Sequence, residues 1–246
     1  MIRYCAAVMA ASMLSMPAMA QEVEARPSIT VLGRGHVETP PDSFRMTVAL
    51  EGRGADQVAA LRALSTVQSR VGDIEKLEGL QRARLTTGAP SVSPTFDPQC
   101  GGDRYNRDTD GCPVVGYVAS MELTLEAGPV ARAGDALSLA SERGARNAGV
   151  QAFYLAEDAT QTAEAQRAAF ADARQQADTL AAAAGQRIVR VLRLQNPNAD
   201  RFAARTADAA ADVVVTGSRA RPAVSLDVAP PPVRTEAQIV ATFEIE

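Results

Sequence analysis

The sequence contains no tryptophan, a single histidine, a single lysine and few aromatic residues. A core of this composition has to be built from Val, Leu, Ile and the abundant Ala. The lone His36 excludes a metal site that needs two histidine ligands, and a Ser–His–Asp triad would depend on it alone. No Gly-x-Ser-x-Gly elbow accompanies it. We therefore predict that His36 lies on a strand surface and that the chain is not an enzyme.

A long apolar run is also missing after residue 20, so no later segment is predicted to cross a membrane, which needs about 20 residues. The first twenty residues have the build of a secretory signal: Arg3, an apolar run from Tyr4 to Leu14, and the small-x-small site Ala18–Ala20. The prediction is a cleaved signal over 1–20, a tail over 21–27 and a periplasmic protein, with outer-membrane association left open. The formal net charge of −4 argues against nucleic acid as a partner.

Of the three cysteines, Cys5 lies inside the predicted signal, which leaves Cys100 and Cys112. An even number in an oxidising compartment predicts a disulfide, with two free thiols as the alternative. The enclosed stretch carries Asn106, Asp108 and Asp110 ahead of a glycine, as the first half of a calcium loop requires. The twelfth position, where a bidentate Glu belongs, is Tyr117. We predict no cofactor, with calcium at this loop as a candidate and a solvated turn as its alternative.

Hydrophobic periodicity and turn residues predict an α+β fold with a mixed or antiparallel sheet and two to three long helices. The predicted helices span 55–78, 130–147 (stopped by Gly149) and 157–184 (stopped by Gly185). The predicted strands span 28–36, 43–51, 84–92, 117–125, 150–155, 187–194 and 237–245. The third and fourth strands would form a hairpin over about 84–125 with the cysteine loop at its tip. Residues 196–233 read as a loop-rich insert.

Two short motifs have a functional and a structural interpretation. Gly33-Arg34-Gly35 lacks the third glycine and the following helix of a dinucleotide-binding turn, and we reject that function. Residues 212–219 (DVVVTGSR) resemble the box by which outer-membrane receptors add a strand to an energising partner. A strand of the domain itself is the favoured interpretation of this run. The Ala-rich helix 157–184 could pack on the sheet or, through its small residues, on another subunit.

The order of these elements, with the residues at their joints, resembles the SIMPL-domain family of exported envelope proteins, which includes periplasmic immunogenic proteins of Gram-negative bacteria. The matching residues include Gly33, Gly35, Pro41 and Asp42 at the start, Gly116-Tyr117 after the hairpin tip, Gly144 and Gly149 around the fifth strand, and the closing strand 237–243. The likeness spans about 28–246, predicted as one domain.

The resemblance implies a periplasmic α+β protein without agreed catalytic residues, and at least one family member is a ring- or channel-like homo-oligomer. The first functional hypothesis is accordingly a non-enzymatic structural or scaffolding protein of the envelope that acts through homo-oligomerisation. The alternative is a monomeric envelope module whose Cys100–Cys112 tip engages a protein partner or calcium. An enzyme built from scattered carboxylates is a third hypothesis that no motif supports.

Overall fold

The computed structural model describes residues 26–100, 111–197 and 224–246, which form eight strands and three helices. In chain order these are β1 (Ser28–Thr39), β2 (Ser43–Gly54), α1 (Gln57–Val71), β3 (Gln81–Thr87), β4 (Ser91–Phe96), β5 (Val114–Gly128), α2 (Ala133–Glu142), β6 (Asn147–Tyr154), α3 (Ala159–Ala183), β7 (Ile188–Gln195) and β8 (Val233–Ile245). The described strand pairs are all antiparallel, and the α+β prediction is confirmed.

The larger sheet has five strands in the order β3-β5-β2-β6, with β4 pairing to the first half of the long strand β5. Strand β2 alternates strictly: Phe44, Met46, Val48 and Leu50 point into the core, while the residues between them face the opposite side. Helices α1 and α2 cover the apolar face and complete one hydrophobic cluster. Burying each of these large side chains contributes about 1.5–3 kcal/mol, so this half supplies most of the core.

The smaller sheet has three strands in the order β1-β8-β7, and α3 packs on it. The helix places alanine at every fourth position against the sheet, and all five are buried: Ala165, Ala169, Ala173, Ala177 and Ala181. A Cβ on Gly33 would lie 2.0 Å from the carbonyl oxygen of Ala169, and one on Gly35 would lie 2.3 Å from that of Ala165. These glycines therefore allow the helix to approach the backbone of β1, and the Ala-rich face packs inside the subunit.

The predicted helix over 130–147 is wrong at both ends, since α2 runs from Ala133 to Glu142 after a short 3₁₀ turn. Gly144, with φ of 98°, ends it, and the Ala145 N–H donates to the Ala140 carbonyl in the pattern of a Schellman cap. Gly149 is not a helix stop, because it lies inside β6. The predicted stop of α3 at Gly185 is confirmed by the same geometry, with φ of 70°.

Other predicted boundaries also needed correction. The helix predicted over 55–78 ends at Val71 and continues as a 3₁₀ turn to Lys76. The single strand predicted over 84–92 is two strands, because Gly88, Ala89 and Pro90 interrupt the ladder before β4 begins. The last strand begins at Val233 rather than 237, inside the predicted insert. Each of the remaining strands differs from its prediction by one to three residues at one or both ends.

The predicted signal 1–20, most of the tail 21–27, the Asn106–Asp110 loop and the 212–219 run lie outside the described residues. Of the predicted insert 196–233, residues 196–197 and 224–233 are described, and 224–232 run without regular structure into β8. Within the described part of the chain, no helix is long and apolar enough to span a membrane.

Candidate functional site

Strand β7 forms one margin of the three-stranded sheet, because within the described residues it pairs only with β8. Helix α3 packs mainly over β1 and β8 and leaves this margin uncovered. Val189, Val191, Leu192 and Leu194 are consequently between 36% and 54% exposed. An outer strand with apolar side chains offers both free backbone groups and apolar surface to another chain.

The opposite margin of the same sheet is closed by α3. The backbone N–H of Arg34 in β1 donates to the Asp172 carboxylate at 2.8 Å. Gln176, one turn further along the helix, donates to the Leu32 carbonyl at 3.3 Å and to Asp172 at 2.8 Å. Outward-facing backbone groups of β1 are thus already bonded, so this edge is not available for pairing at these positions.

Irregular pairing shapes the open margin. The register between β7 and β8 shifts twice, and Val189 and Leu192 are the residues left without a partner in the ladder. Such bulges re-aim side chains and increase local twist. The strand is nevertheless firmly held, since Arg190 binds Glu244 and Arg187 binds Glu246 on β8 and its C-terminal end. The hydrogen bond from Arg190 is the main reason that the pKa of Glu244 is lowered, and Arg26 adds to the effect.

The predicted disulfide is present: Cys100 and Cys112 are bonded, with their Cα atoms 5.7 Å apart. It joins the ends of β4 and β5 and staples the hairpin below its tip. Val114 and Val115, directly after the bridge, are exposed. The candidate calcium ligands Asn106, Asp108 and Asp110 lie outside the described residues. In the described ranges, no group of three His, Cys, Asp or Glu side chains could hold a metal ion.

The remaining motif residues lie at structural joints. Asp42, in the corner after Pro41, accepts a hydrogen bond from the Ala156 N–H at 2.9 Å and pairs with Arg82 at 3.4 Å. Gly116 lies in β5, where a Cβ would lie 3.1 Å from the carbonyl oxygen of Gly54. The next residue, Tyr117, faces Gly54 across the ladder. These residues connect β2 to its neighbours in the larger sheet.

His36 is exposed on β1, opposite Glu236 of β8, in a groove of about 230 Å³. No serine, cysteine or second histidine lines that groove. A larger groove of about 520 Å³ lies where the two sheets meet, beside Arg45 and Tyr154. Burial, followed by the nearby Glu126 carboxylate, raises the pKa of Tyr154, and the Arg45 guanidinium lies 5.6 Å from the centre of its ring.

No sequence pattern indicated that β7 would be an exposed strand at the margin of its sheet. Its signal is present in the run Ile188–Leu194, which has five apolar residues but no regular alternation. A fully buried strand reads in the same way. Which side of the sheet α3 leaves uncovered follows only from the packing of the helix.

Two antiparallel sheets, joined through a proline corner and each covered on one face by one or two helices, define an α+β protein. The chain belongs to the SIMPL family, described as a protein of unknown function (DUF541), whose family model matches residues 29–243.

Two curated relatives are each named 26 kDa periplasmic immunogenic protein, one from Brucella melitensis biotype 1 and one from Brucella abortus strain S19. Each is 26% identical to this chain over 196 residues, which is 77% of this chain and 77% of the relative. The names of these relatives state a compartment, the periplasm, and they state no activity.

Proposed function

We propose that this chain is a non-enzymatic periplasmic protein that acts as a scaffold through self-association, with the free margin of β7 as the contact between subunits. The periplasmic location rests on the names of the relatives and on the signal predicted from residues 1–20. The non-enzymatic role rests on the isolation of His36 and on the family. The contact rests on the exposed apolar side chains of β7, which is the observation that carries the proposal.

The two margins of the smaller sheet differ in whether side chains bond their outward-facing backbone groups, and pairing with another chain requires a margin where these groups are unbonded. Asp172 and Gln176 close the margin of β1, whereas no described side chain closes that of β7. A second copy can add its own β7 in antiparallel orientation about a two-fold axis, which joins two three-stranded sheets into one. The apolar side chains of both strands then become buried together.

The test is the native mass of the protein purified from a periplasmic extract, measured by light scattering on a size-exclusion column. The edge variant carries Leu192→Lys and Leu194→Lys, because lysine on an outer strand opposes pairing. Leu180→Lys in α3 is the matched control, since Leu180 is 51% exposed and lies off the sheet.

We expect a discrete assembly for the unmodified protein and for Leu180→Lys, and a smaller species for the edge variant. A monomer across micromolar concentrations would refute self-association. An assembly that the edge variant leaves intact would refute the role of β7 while leaving the scaffold itself in place.

A second candidate function is a monomeric module that binds through the stapled hairpin. The observation in its favour is the exposure of Val114 and Val115 beside the Cys100–Cys112 bridge. In its calcium form, added calcium raises the melting temperature, and Asp108→Ala with Asp110→Ala abolishes the shift. Absence of any shift with calcium removes the ion and leaves a protein partner, which Val115→Lys would then weaken.

A further inference from the structure

The outer face of the five-stranded sheet, on which no helix packs within the described ranges, carries a buried carboxylate between two arginines. The Glu51 side chain on β2 is 8% exposed, whereas those of its partners Arg53 and Arg146 are 73% and 64% exposed. Arg53 Nε lies 2.6 Å from Glu51 Oε1, and the Arg146 guanidinium contacts Glu51 Oε2. One acid therefore holds two guanidinium groups at the surface.

This arrangement fixes the arginines before any ligand arrives. A free arginine side chain loses rotamer entropy when it is immobilised, and the ion pair with Glu51 already restricts each of the two. Each guanidinium has five N–H donors, of which the carboxylate uses only some. Arg53 and Arg146 carry two positive charges and Glu51 one negative charge, and Glu122 in the adjoining groove brings the sum to zero.

Arg146 also borders a groove of about 400 Å³ whose walls are mixed: polar side chains alternate with the apolar residues Ala49, Leu50, Ala89 and Met121. Glu51, Ser120 and Ser91 lie opposite one another across β2, β5 and β4, and the two serine hydroxyls are 3.0 Å apart. Asn147 and Glu122 also line the groove. The volume is within the range of about 300–1,000 Å³ that is usual for small-ligand sites.

We propose that this groove, defined by Glu51, Ser91, Ser120, Glu122, Arg146 and Asn147, binds an anionic sugar, meaning a saccharide that carries a phosphate or a carboxylate. Arg146, with Arg53 beside it, binds the anionic group, because the guanidinium fork matches two oxygens of a phosphate or carboxylate. The serine hydroxyls, Asn147 and the Glu122 carboxylate bind sugar hydroxyls, which both donate and accept. A phosphate ion alone would use only the arginine end and would gain none of the contacts to sugar hydroxyls.

The position of Arg146 follows from the local fold. The Schellman cap of α2 ends the helix at Gly144, and the Arg146 N–H donates to the Ala49 carbonyl at 2.9 Å as β6 joins the sheet. The side chain therefore leaves the backbone beside β2, within reach of Glu51. Arg70 of α1 lies near the same turn, with its guanidinium 3.5 Å from where a Cβ of Gly144 would be, and adds positive charge there.

The test is isothermal titration of the protein purified from the periplasm with glucose 6-phosphate, glucuronic acid, glucose and inorganic phosphate. We expect both anionic sugars to bind, glucose to give no measurable heat, and phosphate to bind about tenfold more weakly than glucose 6-phosphate, a difference of one strong hydrogen bond or more. Proton–nitrogen correlation spectra should show shifts at Ser120 and Asn147 with the sugar phosphate.

Arg146→Gln should lower the affinity for glucose 6-phosphate about tenfold or more. Arg187→Gln, which breaks another exposed Arg–Glu pair in the smaller sheet, should leave binding unchanged. Arg146→Lys keeps the charge and loses the fork, so it should weaken binding as well even if the glutamine variant folds poorly.

Failure of both anionic sugars to bind at millimolar concentration would overturn the proposal. Phosphate binding as tight as that of the sugar phosphate would overturn the sugar assignment. Equal binding by the Arg146 variants and the unmodified protein would overturn the site. None of these results depends on the native mass of the protein, so they are separate from the test of self-association.

Discussion

The carboxylate of Asp172 in α3 accepts the backbone N–H of Arg34 in β1 at 2.8 Å, across 138 positions of sequence. A helix that packs on a sheet through alanines thus also closes the sheet's edge with a polar side chain. The same helix packs mainly over β1 and β8 and only slightly on β7, and this asymmetry between the two margins is what makes β7 the candidate contact.

Asp172→Ala removes the acceptor for the Arg34 N–H and for Gln176. We expect the free energy of unfolding to fall by about 1–3 kcal/mol, because a backbone donor loses its charged acceptor. Urea unfolding measures the loss. Asp178→Ala on the same helix breaks only an exposed pair with Arg174 at 3.9 Å and should cost a few tenths of a kcal/mol, about 0.3. Equal losses in the two variants would contradict the role of Asp172 at the edge.

Gly33→Ala forces a methyl group against α3. Because its Cβ would lie 2.0 Å from the Ala169 carbonyl oxygen, helix and strand must separate, and we expect a loss of about 1–3 kcal/mol or more. Thermal unfolding measures it. Gly72→Ala is the control, since nothing lies within 4 Å of its Cβ and its φ of −53° suits any residue. That variant should be neutral or more stable by about 0.4–1 kcal/mol, and a lower melting temperature for it would count against the argument.

Asp135→Ala should release the segment 224–228 from α2. Asp135 is buried and accepts hydrogen bonds from Arg132 and from the Ser225 hydroxyl, both at 2.8 Å. We expect a loss of about 2–3 kcal/mol, with faster proteolysis near residue 224. Asp73→Ala, which breaks the exposed pair with Lys76, should change the free energy of unfolding by about 0.3 kcal/mol. Unchanged proteolysis in Asp135→Ala would show that this contact does not hold the segment.

Reduction of the Cys100–Cys112 bridge should destabilise the protein by about 2–3 kcal/mol in the chain-entropy model, since the bridged residues are 12 positions apart. Melting curves with and without reductant measure the effect, and Cys100→Ser with Cys112→Ser is expected to match the reduced protein. Mass spectrometry of the non-reduced protein should show the two cysteines linked. Two alkylatable thiols in fresh periplasmic material would refute the linkage.

Stability should fall in acid partly through Glu244, whose pKa is lowered from 4.5, first by the hydrogen bond from Arg190. Well above pH 4.5 the carboxyl is ionised in both the folded and the unfolded state, and the pairing contributes fully. Below it the unfolded chain takes up the proton first, so the contribution is lost as the pH falls through the lower folded pKa. Glu244→Gln and Arg190→Gln should both flatten this part of the stability curve, and an unaltered slope would contradict the assignment.

Sequence patterns predicted the elements better than their ends. The stripe of apolar residues in α1 and the alternation in β2 each specify an element whatever the rest of the chain does, since one face must be buried. The end of α2 was predicted at the wrong glycine, because in the sequence alone Gly144 and Gly149 are equally good helix-ending residues. Only the backbone shows which of them has a positive φ. The break at Gly88–Pro90 was missed because both halves pair with the same long strand β5.

The candidate sites depended more heavily on distant contacts. The disulfide followed from counting cysteines, since an exported chain with two has one pairing to form. The margin of β7 and the pairing of Glu51 with Arg146 had no local signature. Glu51 and Arg146 are 95 positions apart, and they meet only because β2 and β6 lie side by side.

The sequence by itself determined the α+β class, the family, the stapled hairpin and the small-residue face of α3, because periodicity, glycine placement and cysteine number are local properties of the chain. Only the tertiary structure decided that this face packs within the chain, that the strands divide into two sheets, and that β7 pairs on one side only among the described residues. Which residues become surface depends on what packs over them, and that is a property of contacts between segments far apart in sequence.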